Sequence, residues 1–380
     1  MKSQHAIISN ILENYDLCEY CAGRIFSKLV GKPTSKTLGK KYLKKFSKNT
    51  NHICYICKNI FESLDALLTN IHEKSHDVDF KTFNLGLRIK PSILERDDYL
   101  KSKFKIKGIE SIKFGISMEL AKKISRRTKS ERIMNHPDVF IEIDLKDNSC
   151  TLRTKPLFVY GRYNKKIRKL PQKQVSCKYC TGIGCHNCNF TGMENIETIE
   201  GKISTLLIKK FDAKQVKINW IGGEDQSSLV LGNGRPFFTK ILNPKKRNQI
   251  LRKTSDLDGI YLSELRKLSV QPKGSIPFKS QVAITINTEK TISLPQLKKL
   301  DILENLEIHY SSKDKKNFSK RIYKIGYKKI GKNSFTLDLF ADGGIPIKSF
   351  IQNSDFSPNV SELLENQCEC KKFDFKNIIV

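Results

Sequence analysis

The sequence predicts an α/β protein of the α+β kind, built from two or three domains. Its 380 residues are too many for one core of ordinary size. Apolar residues recur at helical spacing in several stretches and alternate as in strands between them. Hydrophobic residues make up 38% of the chain and mean hydropathy is −0.43, as in a soluble folded chain. No apolar run approaches the length that crosses a bilayer.

Along the chain, Ile7, Ile8, Ile11 and Leu12 predict a short amphipathic helix within 1–15. That stretch lacks the basic, apolar and small-residue order of a signal peptide, so the expected location is cytoplasmic. Phe61, Leu64, Leu67, Leu68 and Ile71 predict a helix over 61–76, and Phe83, Leu85, Leu87 and Ile89 alternate as a strand. A helix is expected over 109–126, then strands at 139–145 and 157–160. The second strand runs into 161–169, which mixes basic residues with Tyr163. A polar loop is the plain reading of that stretch. Tyr160, Arg162 and Arg168 also suit a surface that binds a nucleic-acid backbone. Further on, a helix is expected over 195–211 and strands over 215–245. β-rich runs follow at 282–286, 321–325 and 335–339, with a last strand at 373–380.

Lys plus Arg number 69 and Asp plus Glu 39, a net charge of +30, with a pI near 9.6. Charge spread along the whole chain favours a nucleic-acid partner over a merely solvated surface. A membrane surface would need a basic amphipathic helix with bulky apolar anchors, and none stands out.

Eight of the eleven cysteines fall in four Cys-x-x-Cys pairs. Cys177, Cys180, Cys185 and Cys188 form a double knuckle, with Gly182 and Gly184 allowing the sharp turn between its halves. This spacing suits one tetrahedral zinc ion; reduced thiols or an iron–sulfur cluster are the alternatives, and His186 is expected in solvent. Cys18, Cys21, Cys54 and Cys57 would hold a second zinc and close a long Lys- and Ser-rich segment over 24–51. Four thiolates leave no open position, so both sites read as structural. Cys150, Cys368 and Cys370 are expected as core or surface thiols.

The stretch 222–237 holds the candidate chemistry. Asp225 follows a glycine pair, an apolar run occupies 228–231, and a second glycine turn, Gly232-Asn233-Gly234, leads into Arg235. A carboxylate on a loop beside a strand, with a cation near, is a catalytic arrangement. The plain alternative is an ordinary turn aspartate.

Several motifs occur in one order: Pro156 to Tyr163, Leu170-Pro-Gln, the double knuckle with Asn189-Phe190-Thr191-Gly192, Gly222-x-Glu224-Asp225, Leu231 to Phe237, and Asn243-Pro244-x-x-Arg247. Together they resemble the archaeal tRNA pseudouridine synthases of the tenth-numbered family, which modify adjacent uridines of the TΨC arm, U54 and U55. The likeness is densest over 156–247. It implies a zinc-linked, THUMP-containing RNA-binding domain over 1–165. A catalytic domain with a mixed, mainly antiparallel sheet would span 166–380 and carry the knuckle at its start. Asp225 matches the catalytic aspartate and Lys348, in Ala341 to Phe350, its basic partner. Arg235 would order the loop or contact phosphate. The family has Arg where this chain has Gly223 and Leu229, and Tyr where it has Pro346. Gln281 falls near the place of the base-stacking tyrosine, which leaves Phe278 and Tyr323 as the aromatic candidates.

Isomerising uridine involves no net redox or hydrolysis, so no organic cofactor is expected. The implied partner is tRNA, with no membrane and no obligate protein partner. Two rivals stand beside this reading: a tRNA-binding or RNA-folding protein on the same scaffold without efficient chemistry, and a zinc-dependent nucleic-acid module of another type.

Overall fold

The structure is a computed structural model. It describes residues 2–48, 52–188, 190–251, 254–272, 274–311, 317–352 and 356–380. Asn189 of the knuckle motif lies outside them. Two compact units form: Met1–Lys155 with Lys245–Arg247, and Pro156–Pro244 with Asn248–Val380.

The first unit begins with helices α1 (Lys2–Asn14), α2 (Glu19–Leu29), α3 (Lys36–Lys45) and α4 (Ile60–Ser75). Ile8, Ile11 and Leu12 are buried, as the N-terminal pattern predicts. The Lys- and Ser-rich segment proves to be mostly helical. Ser35 caps α3 by accepting from the Leu38 amide at 3.1 Å. α2 and α3 cross so closely that a Cβ on Gly23 would lie 2.0 Å from the Ser35 carbonyl oxygen, so only glycine fits.

Next come β1 (Thr82–Arg88), α5 (Pro91–Lys103), α6 (Ile112–Thr128), β2 (Glu131–Arg132), β3 (Val139–Asp144) and β4 (Ser149–Thr154). The sheet order is β2-β1-β3-β4; β1 runs parallel to β2 and β3, and β4 is antiparallel to β3. Alternation in β1 and β3 sends Phe83, Leu85, Leu87, Val139, Ile141 and Ile143 into the core. α4 and α6 pack on that sheet.

The second unit starts with β5 (Leu157–Lys165), α7 (Ile199–Phe211), β6 (Gln215–Trp220), β7 (Val230–Leu242), β8 (Ser255–Asp256) and β9 (Ile260–Leu268). It continues with β10 (Lys279–Thr288), α8 (Leu294–Lys298), β11 (Glu307–Ser311), β12 (Asn317–Gly331), β13 (Ser334–Asp342), α9 (Ile347–Gln352), β14 (Phe356–Ser357), α10 (Val360–Leu364) and β15 (Cys368–Ile379). One mixed sheet runs β14-β11-β12-β13-β10-β15-β7-β5-β9-β8, with β6 added beside β7. Its pairings are antiparallel except where β15 meets β7 in parallel, Phe375 opposite Val230. β5 pairs with both β7 and β9, so it belongs to this unit rather than to the first, where the expected boundary at 165 placed it.

The glycine turn at 232–234 lies inside β7. Lys165 faces Val230 and Tyr163 faces Arg235, so residues 231–234 bulge out opposite Asn164. Gly232 and Gly234 supply the positive φ angles this needs, +54° and +72°.

Candidate active site

β6 ends at Trp220 and β7 begins at Val230, and the loop between them carries Asp225. β7 has β15 beside its first residue and β6 beside its far half, so this loop crosses the gap between those two neighbours. Gly222 opens it at φ +72°; a Cβ there would come within 2.4 Å of the Phe278 ring. Asp225 then forms an Asx turn: its Oδ1 accepts from the Ser227 amide at 2.9 Å and the Ser227 hydroxyl at 2.7 Å. Its Oδ2 accepts from Lys348 Nζ at 2.7 Å. Lys348 is the second residue of α9.

Partial burial works to raise the Asp225 pKa, but the hydrogen bonds from Lys348 and Ser227 and the lysine charge outweigh it and hold the carboxyl at about 2. The group is therefore ionised at neutral pH. Its side chain keeps 28% of its surface open and that of Lys348 keeps 53%, so the pair is within reach of a ligand. The Cys370 thiol lies in the field of both and is pushed up to about 11, mainly by burial.

Behind the loop sits a buried ion cluster. Glu224 is enclosed, with Lys165 Nζ 3.2 Å from its Oε1 and Arg235 Nε 3.4 Å from its Oε2. Arg235 also donates to the Ile221 carbonyl at 2.8 Å and lies over the Phe375 ring. Of its two expected roles, this geometry suits loop ordering; a guanidinium with no exposed surface does not meet phosphate.

The other sequence candidates are spread more widely. Arg162 is buried and donates to the Asn233 carbonyl at 2.6 Å and the Gly234 carbonyl at 3.0 Å, closing the β7 bulge. Tyr160 is buried too, under the Arg266 guanidinium 4.4 Å from its ring centre. Arg168 is partly exposed and grips Asp374 with two bonds, 2.7 and 2.8 Å. The surface role expected for these three does not fit two buried side chains and a third already paired. Phe278 is wedged between Gly222 and Gly343 and lines a cavity of about 490 Å³ with Trp220, Phe238 and Phe318. Tyr323 donates to Asp342 at 2.9 Å and has Lys279 Nζ 3.9 Å from its ring centre. Sequence reasoning gave no role to Glu224, Asp374 or the buried Lys165. A second carboxylate directly beside Asp225 was the one available signal.

Both cysteine groups have the geometry of a metal site. In each, the four sulfurs lie within 4.8 Å of one another. Observed separations are 3.5 Å for Cys18–Cys57, 3.9 Å for Cys177–Cys185 and 3.7 Å for Cys180–Cys188. A tetrahedron of thiolates around zinc has edges of about 3.8 Å, whereas a disulfide needs about 2.0 Å. In the knuckle, the amides of Gly184, Cys185 and Gly192 each donate to a cysteine sulfur at 3.2 Å, which favours thiolate. These contacts fit a four-sulfur metal site. Cys150, Cys368 and Cys370 are buried core thiols.

Comparison with known proteins gives these elements a family. A family model described as "Pus10, C-terminal" matches residues 158–378, and one described as "Pus10 THUMP domain, archaeal" matches 67–144. The chain is thus of the class that joins an archaeal THUMP domain to a pseudouridine synthase domain. A protein of Nitrosopumilus maritimus (strain SCM1) named "tRNA pseudouridine synthase Pus10" is 42% identical over 374 residues, covering 98% of this chain and 97% of its own. A relative of the same name from Cenarchaeum symbiosum (strain A) is 30% identical over 96% of this chain and 90% of its own. The chain belongs to the Pus10 family. Among solved structures, one titled "Crystal Structure of a Cbf5-Nop10-Gar1 Complex" aligns at 9% identity and TM-score 0.32 over 57% of this chain and 49% of its own, too loosely to carry weight.

Proposed function

We propose that this chain converts uridine to pseudouridine in the TΨC arm of tRNA, at U54, U55 or both, with Asp225 as the reacting carboxylate and Lys348 as its charge partner. The observation that carries this reading is the Asp225–Lys348 pair at 2.7 Å, on a loop inside the region matched by the Pus10 C-terminal model. In the reaction the N1–C1′ bond breaks, the base turns, and C5 joins C1′. C5 gives up a proton and N1 gains one, so atoms and electrons balance without a redox partner. An ionised carboxylate acts at the sugar–base junction, as nucleophile or as base. Lys348 and Ser227 hold its pKa down. The target base must leave its stack to reach it, and the net charge of +30 suits a folded RNA. Phe278 and Tyr323 are the aromatic groups offered to that base. Arg235, Arg162, Tyr160 and Arg168 serve by ordering the surrounding backbone.

Zinc is the metal this reading assigns to both cysteine groups. It would supply no step of the reaction; the thiolates of Cys18, Cys21, Cys54 and Cys57, and those of Cys177, Cys180, Cys185 and Cys188, would use it to staple their segments. Eleven cysteines with no disulfide among them fit a reducing compartment, the cytoplasm. Among the described residues, no helix is long and apolar enough to cross a membrane.

The test is an unmodified tRNA transcript incubated with purified protein and no organic cofactor, with pseudouridine mapped chemically. Product in the T arm and about two zinc ions per chain are expected. RNA binding without any isomer formed would instead favour the scaffold without chemistry.

A further inference from the structure

The stretch 165–169 meets the loop that carries Asp225. Three consecutive loop carbonyls end on it. Lys165 Nζ lies 3.1 Å from the Asp225 carbonyl oxygen and 3.3 Å from that of Gln226. The Lys169 amide donates to the Gln226 carbonyl at 2.8 Å, and Arg168 donates to that of Ser227. Arg168 also grips Asp374, whose Oδ1 accepts from the Leu229 amide at 2.8 Å. The loop backbone is thus held from 225 to 229 by groups that leave the carboxylate itself untouched.

The Lys165 ammonium is fully buried, a place where lysine is rare unless paired. Among the described residues its charge is met by Glu224, which is shared with Arg235. A core needs no such cluster: well-packed apolar residues of the same volume are often as stable or more so. What an apolar residue cannot do is donate to two adjacent carbonyls of an irregular loop.

We propose that Lys165, with Arg168 as a second strap, is a positioning residue for Asp225, fixing the loop backbone so that the carboxylate already faces Lys348 and the Ser227 hydroxyl before RNA arrives. This rests on Asp225 being the reacting carboxylate. Preorganisation of this kind matters because a misplacement of about 1 Å costs about 100-fold in rate.

The test uses the full chain with its metal. The double variant Lys165→Met with Glu224→Gln removes one buried charge of each sign, so the net buried charge is unchanged. Arg168→Gln, at a partly exposed side chain, carries little risk to folding. Single-turnover rate on unmodified tRNA, RNA affinity and amide hydrogen exchange are measured for each. The double variant should lose about 100-fold in rate and Arg168→Gln about 10-fold, with affinity within about twofold of the parent. Exchange should quicken at the Ser227 and Leu229 amides but not in β5 or β7. Parental rates in both variants overturn the proposal, as does exchange that rises equally through β5 and β7, which marks a merely structural role. Activity in Asp225→Ala is a separate failure: it removes the catalytic reading beneath.

Discussion

Each unit encloses an arginine and a carboxylate, and the two pairs differ in what surrounds them. In the first unit Arg24 bonds Asp97 and donates to the Glu110 carbonyl at 2.6 Å. Asp97 also receives Lys101 at 2.6 Å and the Ile112 amide at 3.1 Å. Every partner there belongs to a helix or to the turn that starts one, so the cluster ties α2, α5 and α6 together. In the second unit Glu224 and Arg235 join Lys165 around an irregular loop, and the partners are loop carbonyls next to Asp225. Buried charge fixes helix packing in one place and loop shape in the other. The comparison teaches that burial is common to both ions and that they differ in the backbone each one grips.

That contrast can be broken at its sharpest point with Asp225→Ala. The rate of isomer formation should fall by about 10⁴-fold, while thermal stability and RNA affinity stay near parental values. A variant that unfolds would show that the loop is structural like the Arg24 cluster. The mirror experiment is Asp97→Ala, which strands a buried arginine and should cost about 3–5 kcal/mol of stability, read by denaturant unfolding. The fraction that remains folded should isomerise uridine at the parental rate. A slower folded fraction would erase the distinction between the two clusters.

Lys348→Met gives a finer probe. Lysine favours the charged carboxylate, so its removal must raise the Asp225 pKa from about 2 toward the ordinary carboxylate range. The folded-state pKa is the depressed one. The stability this ion pair contributes is therefore present above the unfolded-state pKa and lost as pH falls through about 2. A pH–rate profile should show the acid limb displaced upward in the variant; an unmoved limb would mean that Lys348 does not lower the Asp225 pKa.

Much of this was legible before any coordinates, and for physical reasons. Both four-cysteine groups follow from spacing, because a tetrahedral ion fixes how far apart thiolates sit in a chain. The strands at 83–89 and 139–145 follow from alternation. Asp225 and Lys348 lie far apart in sequence and were joined only through a family resemblance. Lys165 was misread because a basic run after a strand looks solvated; its burial comes from β5 lying between β7 and β9, a long-range fact. Asp374 was invisible for the same reason, one of two acids in a lysine-rich terminal strand. α3 escaped notice because its lysines mask the few apolar residues, chiefly Leu38 and Leu43, that seat it.

The two cysteine groups sit at unlike depths, and that has a kinetic consequence. Cys21, Cys54 and Cys57 are sunk in the core of the first unit, between the start of α2 and the start of α4. Cys18 is the one partly open member of that group, whereas in the knuckle both Cys180 and Cys185 are partly open. An ion seated at the first place, with three of its four sulfurs buried, would leave more slowly than one at the second, with two. Isotope exchange on the intact chain should therefore resolve a fast and a slow population. Under metal scarcity, finished molecules would part with the outer ion first, and the inner one would be missing only from chains newly made.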